Sequence, residues 1–304
     1  MAFTTKATIA SFGGRLLKLA HVSAVTGTDM QVHVYFPPQA ASRKVPVLYY
    51  LSGLTCTPDN CAEKGFFQAA AARLGVAVVY PDTSPRGLQL PQEHDSWDFG
   101  EAASFYLDAA AATPYHHNYR METYLTDELP RLLFAAFPDQ LDAAREAITG
   151  HSMGGHGALT LYLRHPGRYR SVSAFAPIAN PTRCPWGQKA FRGYLGPADW
   201  APASGQEPAD VDAAAIPAAW KEHDATELVQ TWTNGDLKML IDVGTGDNFY
   251  KQKQLLPENF EKAVKAAGLS GLTLRYQKDY DHSYYFMASF SQDHVEHAAK
   301  YLFA

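Results

Sequence analysis

The stretch from Glu146 to Leu163 narrows the choice of fold more than any other. It reads Glu146-Ala147-Ile148-Thr149, then Gly150-His151-Ser152-Met153-Gly154, then an apolar run from His156 to Leu163. A short strand, a G-x-S-x-G turn and a helix follow one another without a spacer. Strand and helix must then pack side by side directly after a sharp reversal. Side chains at the two outer glycine positions would collide with that packing. The same turn lifts the Ser152 hydroxyl above the end of a sheet. It also aims backbone N–H groups of the following helix at the space beside that hydroxyl, where they can hold an oxyanion.

The rest of the chain supplies the sheet. Val45 to Leu51 and Val76 to Tyr80 are nearly continuous apolar runs, as expected for strands buried on both faces. Val32 to Phe36, Val172 to Ala176, Met239 to Val243 and Leu272 to Tyr276 read as further strands. Between them, Ala62 to Leu74 stops at Gly75, Met121 to Leu133 has apolar residues at helical spacing, and Pro257 to Ala267 opens on proline and ends before Gly268. Strands alternating with helices predict a mostly parallel central sheet with helices on both faces. Trp200 to Ala219 has no period and is rich in Ala, Pro and Asp. It reads as a surface insertion (200-219) in a single domain of 1-304.

A strand–elbow–helix on such a sheet is the arrangement of the α/β-hydrolase fold, in which an acid and then a base follow the nucleophile along the chain. Asp242 lies inside the strand Met239 to Val243, and Asp247 lies in the loop at its C-terminal end. Functional groups of open α/β sheets collect at that end, which favours Asp247. The base should follow the next strand. His282 does, whereas His294 and His297 fall within a C-terminal helix, at expected surface positions. Serine, imidazole and carboxylate together make a hydroxyl nucleophilic: His282 removes its proton, and Asp247 fixes the tautomer.

The loop Ser52-Gly53-Leu54-Thr55-Cys56-Thr57 follows the strand Val45 to Leu51. Its position makes the Leu54 N–H the partner of the Met153 N–H in an oxyanion hole. Cys56 lies on this loop as a small, mostly buried residue of the pocket; partial exposure would make activity sensitive to thiol reagents. His116-His117 are adjacent, and His294 with His297 lacks a third ligand, so no metal is expected. Gly244-Thr245-Gly246 lacks the third glycine of a dinucleotide loop, and no Walker A sequence occurs; no cofactor is expected.

Net charge is −5, which argues against nucleic acid as a partner. No apolar run reaches about 18 residues, so no membrane partner is expected. The N-terminal sequence lacks the apolar core of a signal peptide. The three cysteines, Cys56, Cys61 and Cys184, make no disulfide framework. A cytoplasmic location is the expectation.

Longer segments carry a resemblance. LSGLTCTPDN, VVYPDTSPRG, DSWDFG followed by FYLDA, GHSMGGHGAL, CPWGQKAFRGYLG, WKEHDATELV, LLPENFEKAVKAAG and DHSYYFMASFSQDHVEHAAKYL resemble the S-formylglutathione hydrolase (esterase D) family from about Leu51 to Leu302. SGLTC and DHSYYF are far more specific than G-x-S-x-G. The resemblance implies a triad of Ser152, Asp247 and His282, oxyanion donors at Leu54 and Met153, no metal, and homodimers. It implies S-formylglutathione as the substrate partner, cleaved to glutathione and formate. A broad short-chain carboxylesterase and an acyltransferase are the alternatives. Trp97 and Trp186 are candidate walls of the substrate pocket. The chain departs from the family pattern at Glu101-Ala102-Ala103-Ser104, at Val243 and in the 200-219 segment, but keeps all three triad residues.

Overall fold

A computed structural model describes residues 3–196 and 211–304. Nine strands form one sheet in the order β1-β2-β3-β5-β4-β6-β7-β8-β9. They are β1 (Thr4–Ser11), β2 (Gly14–Val22), β3 (Asp29–Phe36), β4 (Val45–Leu51), β5 (Ala77–Pro81), β6 (Leu141–His151), β7 (Tyr169–Phe175), β8 (Met239–Gly244) and β9 (Leu272–Gln277). From β5 to β9 every neighbouring pair is parallel. Every residue of β4, β5 and β8 is buried, so helices and loops cover both faces there.

The helices that matter for the site are α1 (Pro58–Lys64), α2 (Gln68–Leu74), α3 (Leu129–Ala136), α4 (Met153–Arg164), α5 (Pro185–Leu195), α6 (Pro257–Ala266) and α7 (Tyr284–Leu302). Helix α4 packs on β6 and β7, while α7 packs on β7, β6 and α2. The α/β-hydrolase fold expected from the sequence is therefore the observed one.

Several local expectations need correction. The sheet begins with an antiparallel edge, β1–β2–β3–β5, of which β1 and β2 were not foreseen and β3 only in part. Strand β1 is mostly exposed, so it lacks the alternation that marks a half-buried strand. The helix expected over Ala62 to Leu74 is two helices. Thr57 and Asn60 form a capping box that starts α1 at Pro58. The chain then breaks at Phe66, whose φ of 57° is left-handed, so that Phe67 can drop onto Tyr50 at 4.7 Å. The stretch Met121 to Leu133 is helical but contains a π-turn, Tyr124–Glu128. There the Leu129 N–H bonds to Tyr124 C=O, five residues back, just before Pro130, which has no N–H to give.

Of the expected surface insertion, residues 200–210 lie outside the described residues. In the remainder, residues 212–215 are exposed, while Val211 and Ile216 are buried and anchor the segment to the core. His294 is also corrected: it is wholly buried, not at the surface.

Candidate active site

Strand β6 runs straight into Ser152, and α4 starts at the next residue. Ser152 has φ 59° and ψ −118°, a conformation that costs a non-glycine residue energy. Three bonds hold it: its N–H donates to Phe175 C=O at 2.9 Å, and its C=O accepts from His156 N–H at 3.0 Å and Ile178 N–H at 3.3 Å. The glycines are needed for close approach. A Cβ on Gly150 would lie 2.1 Å from Gly154 O, and one on Gly154 would lie 2.0 Å from Leu51 O. The Met153 N–H opens the helix, where the backbone dipole favours negative charge.

The loop after β4 lies against this turn. A Cβ on Gly53 would meet Ser152 Cβ at 3.2 Å, so the Leu54 backbone is next to the nucleophile position. Among the described residues neither the Leu54 nor the Met153 N–H donates to a protein acceptor. The loop is fixed from behind. Tyr106 Oη donates to Ser52 C=O at 2.8 Å, and Thr55 N–H donates to Ala102 C=O at 3.0 Å. Cys56 C=O accepts from Thr83 Oγ1 at 2.6 Å and from Arg86 Nη2 at 3.0 Å. Arg86 is itself clamped to the buried Asp82 through Nε at 2.9 Å and Nη2 at 2.8 Å.

Asp247 follows β8 and caps the short helix Asn248–Lys251. Its Oδ1 accepts from the Phe249 N–H at 2.7 Å. Its Oδ2 faces His282 Nδ1 at 2.6 Å, and the carboxylate is completely buried. Gly244 lets the two loops meet, because a Cβ there would lie 2.2 Å from Tyr280 O. His282 sits just before the α7 cap, Ser283, with 16% of its side chain exposed. Its ring packs edge-on against Phe249 at 4.8 Å and against His151 at 4.4 Å.

The structure thus joins Asp247 to His282 directly, and the His282 ring packs on that of His151, the residue before Ser152. Among the described residues the Ser152 hydroxyl has no hydrogen-bond partner. Catalytic hydrogen bonds commonly tighten only when substrate binds. Burial, with the nearby His282, pushes the pKa of His151 far down, so this ring stays neutral beside the His282 imidazole.

Trp186 is buried and packs at a tilt against Phe249 at 4.8 Å, and Trp97 meets Trp186 edge-on at 5.4 Å while remaining 54% exposed. Both tryptophans therefore stand in one aromatic row that begins at His282. Cys56 is partly exposed, with its Sγ 3.7 Å from Tyr284 Oη; burial raises its thiol pKa, which works against a reactive thiolate.

Comparison with known proteins matches this geometry to a family. The Esterase family model covers residues 23–297. The mouse S-formylglutathione hydrolase is 48% identical over 291 residues, spanning 96% of this chain and 95% of its own. That of Paracoccus denitrificans is 44% identical, over 99% of each chain. The chain belongs to the S-formylglutathione hydrolase family. A solved member from Agrobacterium tumefaciens superposes with a TM-score of 0.87 at 40% identity, covering 99% of this chain and 100% of that one. A ferulic acid esterase, at 19% identity and a TM-score of 0.64, shares the fold.

Several residues that shape this esterase's site escaped the reading of the sequence: His151, Tyr106, Phe249 and the Asp82–Arg86 clamp. Only the clamp had a local signal, an acid and a base four residues apart. The others act through contacts that join distant parts of the chain.

Proposed function

We propose that this protein hydrolyses S-formylglutathione to glutathione and formate through a formyl-serine intermediate. The observation that carries the reading is the 2.6 Å contact of a buried Asp247 with His282, beside a serine held in a strained strand–helix turn. Family membership supports the choice of substrate.

In this mechanism Ser152 Oγ adds to the formyl carbon while His282 takes the hydroxyl proton. The N–H groups of Leu54 and Met153 stabilise the oxyanion. The C–S bond then breaks, and His282 gives its proton to the departing sulfur. A thiol has a pKa of about 8.5, so protonating this leaving group is less demanding than for an alkoxide. Water next loses a proton to His282 and adds to the formyl-serine. Collapse of that adduct releases formate and returns the proton to Ser152. Asp247 keeps His282 in the tautomer whose free nitrogen faces the serine.

A cytoplasmic location and homodimeric assembly belong to the same reading; sedimentation equilibrium checks the second. Among the described residues no helix is long and apolar enough to cross a membrane. Steady-state kinetics test the function. S-formylglutathione should be turned over with a higher kcat/KM than a short-chain aryl ester. The reverse order would assign the protein to general esterase chemistry.

A further inference from the structure

The Leu54 N–H belongs to the peptide that joins Gly53 to Leu54, and glycine restrains a backbone less than any other residue. Glycine is nonetheless required at position 53, where a Cβ would meet Ser152 Cβ at 3.2 Å and His151 O at 3.3 Å. The restraint comes instead from bonds around that peptide. Its own C=O accepts from the Cys56 N–H at 3.3 Å. The peptide before it is held by Tyr106 Oη, which donates to Ser52 C=O at 2.8 Å. The peptide after it is held by Thr55 N–H, which donates to Ala102 C=O at 3.0 Å. Two of these three bonds run to one short segment, residues 102–106.

The same segment grips the helix that supplies the other donor, Met153. Phe105 N–H donates to Met153 Sδ at 3.4 Å, and Phe105 C=O accepts from His156 Nε2 at 3.1 Å. The Tyr106 ring lies against Gly157, one turn beyond Met153, where a Cβ would come within 2.6 Å of Cδ2. Tyr106 therefore touches α4 with its ring and the loop of Leu54 with its hydroxyl. Burial pushes its phenol pKa well up, so Oη keeps the proton it donates. The segment is strained where it does this. Ala102, Phe105 and Tyr106 have φ of 61°, 53° and 53°, left-handed values that non-glycine residues keep only where the surroundings enforce them.

We propose that residues 102–106 are a brace that sets the spacing of the two oxyanion donors, with Tyr106 as a positioning residue acting on the Leu54 N–H through Ser52 C=O. The assignment rests on the reading of Ser152 as nucleophile, but not on the identity of the thiol it releases. Losing an oxyanion donor outright costs about 10²–10³-fold in kcat, so a misplaced one should cost about tenfold.

The test uses two competitive inhibitors of p-nitrophenyl acetate hydrolysis, 2-hexanone and 1,1,1-trifluoro-2-hexanone. The first binds as a planar ketone. The second adds Ser152 Oγ to its activated carbonyl carbon, so that the C=O π bond becomes an oxyanion and the hydroxyl proton passes to His282. The ratio of their inhibition constants therefore reads the oxyanion hole apart from ground-state binding. Tyr106→Phe keeps the ring and removes only the hydroxyl. It should lower that ratio about tenfold, with an equal fall in kcat/KM for the ester. Gly157→Ala keeps the hydroxyl but displaces the ring, and should lower the ratio about as far. The double variant should be no worse than the poorer single one, because both act through the same bond. An unchanged ratio in whichever of the two single variants folds overturns the proposal. So does an equal fall in His294→Leu, since the ratio would then report general loosening. A wild type that shows no preference for the fluorinated ketone would instead sink the reading of Ser152 and its oxyanion donors.

Discussion

Two aspartate–histidine pairs hang from the same strand, and only one of them looks out of the protein. Asp242 lies within β8 and Asp247 just beyond its end. Their partners, His294 and His282, lie within α7 and just before it. The contacts are alike, 3.0 Å for Asp242 with His294 and 2.6 Å for Asp247 with His282. The surroundings are not. Asp242 also binds Arg275 through both oxygens, at 2.7 and 2.5 Å, and accepts from Gln277 at 2.9 Å. Burial alone would raise the pKa of this carboxyl, but the bonds to His294 and Arg275 outweigh it and hold the value at about 2. His294 is stacked on Phe175 at 3.6 Å, and its Nδ1 has no partner. Its second nitrogen has nowhere to send a proton. His282 is partly open, and its neighbour His151 precedes the serine. An aspartate beside a histidine is therefore not sufficient for catalysis. In the proposed mechanism the working pair is the one at the open C-terminal edge of the sheet.

The contrast can be broken in order of expected effect. Ser152→Ala leaves both pairs intact and should lower kcat by about a million-fold; a loss under tenfold would refute the nucleophile. Asp247→Ala should cost about 10⁴-fold in kcat. Asp242→Asn should cost less than tenfold while lowering Tm by several degrees, read by calorimetry. Equal losses from the two aspartate changes would mean that the inner pair takes part in proton transfer. His294→Leu sharpens the point: it should lower Tm by a few degrees and leave the pH profile of kcat/KM in place. A shifted profile would make His294 a positioning residue for His282.

The smallest effect is the pH dependence of stability. The folded pKa of Asp242, about 2, lies below the ordinary carboxylate value of about 3.9. Its contribution is therefore full above pH ~4 and is lost as pH falls toward 2. Burial lowers the pKa of His294, and its ordinary value is about 6.5. The folded state prefers that ring neutral, so a further loss begins as pH drops below ~6.5. Melting curves from pH 7 to 3 should show both limbs in wild type. Asp242→Asn should flatten the lower one; an unaltered acid limb would place the titration elsewhere.

Chain order and punctuation pointed to Ser152, Asp247 and His282 before any coordinates, and continuous apolar runs marked β4, β5 and β8. Those signals are local: glycines where backbones must touch, apolar residues where both faces are covered. Strand β1 had no such signal, because its exposed residues follow no period. Phe66 and the π-turn had none either, since each serves a contact made elsewhere, Phe67 with Tyr50 in the first case.

The sequence by itself determined the elbow, the sheet that carries it and the order in which Asp247 and His282 follow Ser152, because these depend on bonds and clashes between near neighbours. Only the tertiary structure decided that Asp242 and His294 form an inner, closed pair, that Arg86 braces the loop of Leu54, and that Tyr106 ties that loop to α4. Asp242 and His294 are 52 residues apart and Cys56 and Arg86 are 30 apart. Whether such side chains meet depends on how the whole sheet stacks its helices, and no short window of sequence contains that information.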